Sequence, residues 1–222
     1  CLFFGLFIFI KIFKGDIFMI KEILHNIYSW SEYCEEKNLD FNGYLVIGKD
    51  ESVIVDPPSL ENNDEEELRN IMDKHSACPL KGIMLTNVHH ERASNSLKKR
   101  FPVPIWVNAL DKEGLEVTAG NTYSGGDILF CGIQAIQLED QKSPGETAFY
   151  LKDQKIILVG DALIGKVPGE VNLLPPEKYK DPNKVKAGLQ KLMSYEFETL
   201  LVGDGVSILK DAKAVVKTFL AS

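Results

Sequence analysis

Residues 83–92 read IMLTNVHHER, a stretch in which a short apolar run is followed directly by polar and ionisable residues. Its first three residues have the apolar composition of a short buried strand, and the polar residues follow them without a linker. Ionisable side chains at the end of a buried strand are how open sheets build binding and catalytic sites. The stretch therefore predicts a strand that ends in a functional site.

Three further stretches have a similar form. Residues 143–147 (SPGET) open a predicted strand, and residues 158–161 (LVGD) and 201–205 (LVGDG) each carry an apolar strand into Gly-Asp. Asp56 ends a predicted strand in the same way. We expect these polar residues to meet at one edge of the molecule, because strand ends are where sheets gather ionisable groups.

The rest of the chain alternates between short strands and helices. We expect strands near residues 24–30, 43–48, 52–55, 83–85, 104–107, 128–131, 133–138, 147–152, 155–159 and 200–202. We expect helices near residues 64–75, 94–100, 183–193 and 211–220, with a short helical stretch after Asn108. Residues 166–182 form a long Pro- and Gly-containing loop, which favours a lid. Two packed sheets with helices outside would bury this set of elements.

The order of these elements and the four stretches resemble the metallo-β-lactamase superfamily, of the glyoxalase II type, from Ile23 to the C-terminus. That family carries Thr-His-x-His-x-Asp-His after an early strand, a Pro-Gly-His-Thr turn, an Asp that follows a Gly, and a closing Gly-His-Gly. The resemblance implies an α/β fold, a four-layer αββα sandwich. It also implies a hydrolase that uses two metal ions to cleave esters, thioesters, amides or phosphodiesters.

The family's ligand positions are only partly kept. Thr86 matches the opening threonine, His89 the second histidine, and Asp161 the metal-bridging aspartate, while Asp56 matches the acid at the end of the early hairpin. Other residues replace the remaining ligands: Asn87, Glu91, Arg92, Glu146 and Asp204. The glyoxalase type commonly uses five histidines, and this chain has four in all, of which His25 and His75 lie outside the motif. The resemblance therefore implies a degenerate site without the usual zinc pair.

Arg92 is the residue that most directly affects whether a metal ion can bind at the site. A guanidinium is permanently charged and offers only donors, so it cannot ligate a cation. Beside Glu146, Asp161 or Asp204 it can form bidentate hydrogen bonds. We expect no cofactor, with Arg92 replacing the metal charge in a pocket network with Asn87, Glu91 and the three carboxylates. The alternative is a single divalent ion such as Mg²⁺ or Mn²⁺ on His89, Glu146, Asp161 and Asp204.

Two functions stay open. The first is a hydrolase of weak or altered activity and unknown substrate, in which His89 or His90 acts as a general base with help from Asp161, and Arg92 stabilises an oxyanion. The second is a non-catalytic ligand-binding or scaffold protein, because an arginine–carboxylate network fills and rigidifies a pocket. A small-molecule ligand is the expected partner in either case.

The charge and cysteine content of the chain indicate which classes of partner and which cellular environment to expect. The chain has 222 residues and a formal net charge of −7, which disfavours nucleic acid and anionic membranes as partners. The four cysteines form no CxxC pair, so reduced thiols in a cytoplasmic protein are expected. The apolar run of residues 1–10 is about half as long as a membrane-spanning helix. The segment 1–18 that contains it is expected to be an upstream artefact or an anchor. The domain then covers residues 19–222, with no membrane contact if translation starts at Met19.

Overall fold

The computed structural model describes residues 20–116 and 120–222. The segment 1–18, expected as an extension or anchor, lies outside these residues. Within the described ranges, no helix combines the length and the apolar character that a membrane crossing requires.

The first sheet contains seven strands in sequential order. They are β1 Lys21–Leu24, β2 Ile27–Cys34, β3 Leu39–Ile47, β4 Ser52–Val55, β5 Leu80–Met84, β6 Ile105–Asn108 and β7 Asn121–Tyr123. Strands β1 to β4 pair antiparallel, whereas β4 to β7 pair parallel. The change occurs where α1 (Asn62–Lys74) and α2 (Ser94–Arg100) enter the chain, since a parallel pair needs a crossover connection.

The second sheet contains four strands in the order β11-β10-β9-β8. They are β8 Gln134–Gln137, β9 Thr147–Leu151, β10 Ile156–Val159 and β11 Thr199–Val202. Strands β8 to β10 form an antiparallel meander, and β11 pairs parallel to β10. The crossover between β10 and β11 carries α3 (Val185–Leu189), and α4 (Ala212–Ala221) ends the chain.

Three apolar clusters show how the layers pack. On β3, Tyr44 and Val46 face the second sheet, while Leu45 and Ile47 lie in the cluster that contains residues of α1 and α2. The alternation on the second sheet likewise sends Val159 towards α3 and α4. Successive side chains of a strand point to opposite faces, so each sheet buries one face on its helices and the other on its partner. The predicted αββα sandwich is confirmed.

The structure corrects the expectation around residues 128–131. This segment is not a strand: Phe130–Gly132 forms a 3-10 turn, and Ile128 makes only an isolated bridge to Gln134. Cys131 and Gly132 have φ values of 57° and 69°, which turn the chain out of an extended path. The expected helix over 183–193 is shorter, because α3 continues from Gln190 as a 3-10 helix. Strand β7 was not expected.

The topology places four strand ends together. Asp56 follows β4, Thr86 lies just beyond β5, Asp161 follows β10 and Asp204 follows β11. Because β4 and β5 are parallel, as are β10 and β11, their carboxyl ends meet in pairs at the same edge of each sheet. The functional site is therefore expected at this edge of the sandwich.

Candidate functional site

Asp56 anchors the first sheet's contribution to the site. Its buried carboxylate accepts hydrogen bonds from the Thr86 amide at 2.8 Å and from the Thr86 hydroxyl at 2.6 Å. The same carboxylate lies 2.8 Å from Nδ1 of His90. Asp56 has a φ of 46°, a left-handed conformation that is uncommon outside glycine and that turns the chain sharply after β4. These contacts fix the ring of His90.

His90 lies between two aspartates. Its Nε2 is 3.7 Å from Oδ1 of Asp161, on the side opposite Asp56. Gly203 packs against the ring so closely that a Cβ at that position would lie 2.4 Å from Cε1 of His90. Burial and Arg92 lower the pKa of His90, but Asp56 and Asp161 outweigh them and raise it to about 10. The ring is therefore an imidazolium at neutral pH, with both nitrogens as donors.

Asp161 has a second cation beside it. Nζ of Lys142 lies 2.8 Å from Oδ2 of Asp161, while Oδ1 faces His90. Burial acts to raise the pKa of Asp161, but His90 and Lys142 outweigh burial and hold that pKa well below its usual range. Asp161 is therefore an ionised carboxylate with one cation on each oxygen.

Arg92 neutralises the carboxylate that follows β11. Its guanidinium forms an ion pair with Asp204 and donates to the carbonyl oxygens of Asn42 at 3.1 Å and of Gly203 at 3.3 Å. The guanidinium carbon also lies 4.4 Å from the ring centroid of Phe41, a cation–π contact. Arg92 is thus held on several sides within the site.

Glu146 and Asn87 form a buried, hydrogen-bonded pair. Nδ2 of Asn87 donates to Oε2 of Glu146 at 3.0 Å, while Oδ1 of Asn87 accepts from the His89 amide at 2.7 Å. Burial, followed by the negative charge of Asp161, raises the pKa of Glu146 well above its ordinary value. Oε1 of Glu146 has no hydrogen-bond partner among the described residues. Burial therefore favours the protonated, neutral form of Glu146 over the carboxylate.

We use the name "ion network" for six of these residues: Asp56, His90, Arg92, Lys142, Asp161 and Asp204. Each carboxylate of the network contacts at least one cationic side chain. The ligand atoms of His90, Asp161 and Asp204 all lie within 4.8 Å of one another. Within residues 20–116 and 120–222, this is the one group of three such side chains with spacing that suits a metal ion.

The predicted single-ion set of His89, Glu146, Asp161 and Asp204 is therefore not the group that the structure gathers. His90 takes the position expected of His89, because the 3-10 turn Val88–His90 directs His90 inwards and leaves His89 exposed. The turn is closed by Asn87, whose side chain accepts from the His89 amide. His89 still borders the cavity above the site, where Lys142 also lies.

Glu91, predicted as part of the pocket network, has another contact. Its carboxylate accepts a hydrogen bond from the Glu116 amide at 3.0 Å, and Glu91 does not line the cavity. Lys142 was not predicted as a site residue, although it directly precedes the SPGET turn at residues 143–147. Asp111 was missed as well: its carboxylate accepts from the amides of Val88 and Gly145, both at 2.8 Å. No sequence signal marked Asp111, which lies in a 3-10 helix after β6.

A cavity of about 330 Å³ lies above the ion network. Its polar lining includes His89 and His90, and two aspartates stand among five lysine and arginine side chains. We use the name "rim lysines" for Lys37, Lys166 and Lys178, which are exposed at this cavity. The apolar lining consists of Leu39, Phe41, Ile164, Leu174 and Pro175.

Comparison with known families agrees with this geometry. The profile described as the Metallo-beta-lactamase superfamily matches residues 21–222. That match covers most of the chain and includes every residue of the ion network. The protein belongs to the metallo-β-lactamase superfamily, whose members are typically hydrolases.

Individual relatives are distant. A probable metallo-hydrolase, YqgX of Bacillus subtilis (strain 168), is 23% identical over an alignment of 154 residues, and the alignment covers 60% of this chain and 71% of that protein. The structure of a metallo-beta-lactamase from Pontibacter korlensis superimposes with a TM-score of 0.72 at 18% identity, covering 91% of this chain and 96% of that one. The DIM-1 metallo-beta-lactamase gives 0.69 at 22% identity, covering 91% and 97%. At such identities the likeness to solved structures demonstrates the shared fold alone.

Proposed function

We propose that this protein is a ligand-binding member of its superfamily in which Arg92, Lys142 and His90 supply the positive charge that metal ions supply elsewhere. Under this proposal it does not carry out hydrolysis by metal-activated hydroxide. Of the two functions that the sequence leaves open, this is the non-catalytic one. The observation that carries it is the direct contact of side-chain cations with Asp161 and Asp204.

The chemistry of these contacts supports the proposal. Arg92 pairs with Asp204, and Lys142 lies 2.8 Å from Asp161. Guanidinium and ammonium groups are donors only, so neither can coordinate a metal ion. A divalent ion on the same carboxylate oxygens would be repelled by both groups at a few ångströms. The residues present therefore do not fit a metal pair.

The supply of ligands also argues against a metal pair. Zinc sites draw on neutral histidine, ionised carboxylate or thiolate. His25 is exposed at 90% of its side chain, and His75 lies 3.2 Å from the Tyr28 hydroxyl, so both stand apart from the network. Glu146, which takes the place of a family histidine, already accepts a hydrogen bond from Asn87. Too few ligands remain for two ions.

A second candidate function is hydrolysis with one divalent ion. The spacing of His90, Asp161 and Asp204 within 4.8 Å favours it, and one nitrogen with two oxygens suits a hard or borderline ion. These residues would hold the ion, which would supply an activated water. Arg92 and Lys142 would first have to leave the two carboxylates, and His90 would have to lose a proton to ligate the ion. That rearrangement is why we rank this function second.

Metal analysis tests the proposal directly. Protein purified without chelators is incubated with Zn²⁺, Mn²⁺ or Mg²⁺, desalted and analysed by mass spectrometry for bound metal. We expect far less than one ion per chain. The double variant Arg92→Ala with Lys142→Ala should gain binding, whereas Lys37→Ala with Lys178→Ala, which removes the same charge at the rim, should not. One ion per wild-type chain would overturn the proposal.

A hydrolase screen separates the two candidates independently. The wild-type protein is assayed on ester, thioester and phosphodiester substrates with and without added metal, beside Asp161→Ala. We expect equal rates from the two proteins, at the level of buffer. Turnover that needs Asp161 would instead support the single-ion hydrolase.

A further inference from the structure

The cavity above the ion network is positive, whereas the protein as a whole is acidic. Five lysine and arginine side chains and two aspartates line it, while the entire chain has a formal net charge of −7. A cleft lined by one sign of charge focuses the electrostatic field and attracts ligands of the opposite sign. The local reversal of sign therefore indicates what kind of ligand the cavity takes.

Two of the five cations are already neutralised, and three are not. Arg92 and Lys142 pair with Asp204 and Asp161. Among the rim lysines, Lys37 has an ion pair only with its neighbour Glu36, at 3.6 Å between two exposed side chains. Within the described part of the chain, no carboxylate lies within 4.0 Å of Lys166 or Lys178. The rim charges are thus available to a ligand.

The rim lysines come from separate parts of the chain. Lys37 lies in the turn between β2 and β3, Lys166 follows the bridge that Ile164 forms with Asn172, and Lys178 ends the 3-10 turn Pro176–Lys178. The loop that carries the last two is held down by the buried ring of Tyr179, whose hydroxyl accepts from the Leu174 amide at 2.9 Å. The fold, and not a run of basic sequence, brings these charges to one cavity.

The same cavity has an apolar wall. Its apolar lining comes from Leu39 and Phe41 of β3 and from Ile164, Leu174 and Pro175. Arg92 stacks on Phe41 at 4.4 Å, which fixes one side of the wall. Small-molecule sites combine a largely apolar lining with a few placed polar groups, and a volume of about 330 Å³ is in their range.

We propose that this cavity binds a small organic anion whose phosphate or carboxylate head group contacts the rim lysines and whose apolar body packs on Leu39, Phe41 and Leu174. The inference rests on the proposed ligand-binding function and names its ligand class. Lysine ammonium groups are compact, mobile point charges that suit an oxyanion without demanding one bidentate geometry. The paired cations of the ion network keep the base of the cavity from repelling that anion.

Four probes test the ligand class by isothermal titration calorimetry. Octyl phosphate and octanoate carry both an anion and an eight-carbon chain, octanol lacks the charge, and inorganic phosphate lacks the chain. We expect at least one of the two amphiphilic anions to bind about tenfold more tightly than octanol and inorganic phosphate, and more weakly as salt is added. The tighter of the two identifies the head group. Equal binding of octanol and the anions, or no binding by either anion, would overturn the inference.

Variants of exposed lysines assign the binding to this cavity. Lys166→Gln with Lys178→Gln should weaken binding of the preferred anion about tenfold, because two of the three unpaired rim charges are removed. Lys210→Gln with Lys217→Gln changes the net charge equally, but neither residue lines the cavity. That control pair should leave affinity unchanged. Equal losses in the two double variants would point to non-specific attraction and contradict the site.

The two proposals can fail separately. Bound metal in the wild-type protein would overturn the metal-free function, yet lysine-dependent anion binding would still hold for the cavity. Conversely, a metal-free protein that does not discriminate octyl phosphate or octanoate from octanol would leave the proposed function standing and remove the ligand class.

Discussion

The ion network and the rim lysines lie against the same cavity, but the charges of the network are paired and those of the rim are exposed to solvent. In the network, Asp161 is buried with a cation beside each oxygen. Arg92 and Asp204 are paired with each other, and each of these two side chains is about one-tenth exposed. At the rim, Lys166 and Lys178 are exposed and have no carboxylate within 4.0 Å among the described residues. Charges in the network satisfy one another, whereas charges at the rim are satisfied by solvent.

The difference separates groups that hold the structure from groups that can meet a ligand. Removing one partner from a buried ion pair leaves an uncompensated charge and is strongly destabilising. Removing an exposed, unpaired lysine changes stability little. Substitutions in the network should therefore act on folding, and substitutions at the rim should act on binding. The largest effect on folding is expected at Asp56, the most deeply buried carboxylate of the network.

Asp56→Ala should lower the free energy of unfolding by about 3–5 kcal/mol, the range for breaking a buried charged pair. The substitution removes the acceptor of the Thr86 amide and hydroxyl and the partner of His90. Urea denaturation followed by circular dichroism measures the change. Asp153→Ala, in the exposed turn between β9 and β10, is the matched control and should stay within about 0.5 kcal/mol. A loss below about 1 kcal/mol for Asp56→Ala would show that the contacts of this carboxylate do not stabilise the fold.

Glu146→Gln should remove part of the pH dependence of stability. Burial raises the pKa of Glu146 above its ordinary 4.5, so the folded protein keeps a proton that the unfolded chain releases. The wild type therefore loses stability as the pH rises through 4.5 towards the folded pKa. The uncharged amide has no such loss, so its Tm should exceed the wild type's by a few degrees at about pH 8. Parallel Tm curves for the two proteins from about pH 5 to pH 8 would mean that Glu146 ionises normally.

Neutralising all three rim lysines to glutamine should have the smallest effect on stability. We expect the free energy of unfolding to stay within about 0.5 kcal/mol of the wild type, since exposed lysines contribute little to folding. The same denaturation measurement decides it. A larger loss would show that the loop carrying Lys166 and Lys178 depends on their charges for its position, and the division between network and rim would then be wrong.

Much of the fold followed from the sequence because strand periodicity and strand-end polarity are local properties. Residues 43–55 predict a hairpin that the structure contains as β3 and β4, and Gly-Asp after Val159 and after Val202 marks real strand ends. The failures occurred where backbone conformation overrides composition. Cys131 is apolar enough for a strand, yet its φ of 57° ends extended structure there.

The site was harder to predict, because the backbone conformation of a single turn determines which of two neighbouring side chains points inwards. His89 and His90 are neighbours of equal chemistry, and only the 3-10 turn determines that His90 meets Asp56 and Asp161. Lys142 reaches Asp161 from a different segment, nineteen positions before it, and no local pattern encodes such a contact. The ion pair of Arg92 with Asp204 is present in the structure, but its role in place of a metal awaits the measurement of bound metal.

The ion pair of Arg92 with Asp204 also has an evolutionary consequence. Changing Asp204 alone to histidine, the family's residue, would leave the guanidinium of Arg92 without its carboxylate. Changing Arg92 alone would leave the carboxylate of Asp204, about one-tenth exposed, without its guanidinium partner. Either intermediate should fold less stably than the present protein. Single steps towards a histidine-rich metal site therefore each carry a cost in stability that a simultaneous change of both positions would avoid. Such epistasis can preserve this arrangement whether or not selection still acts on what the cavity binds.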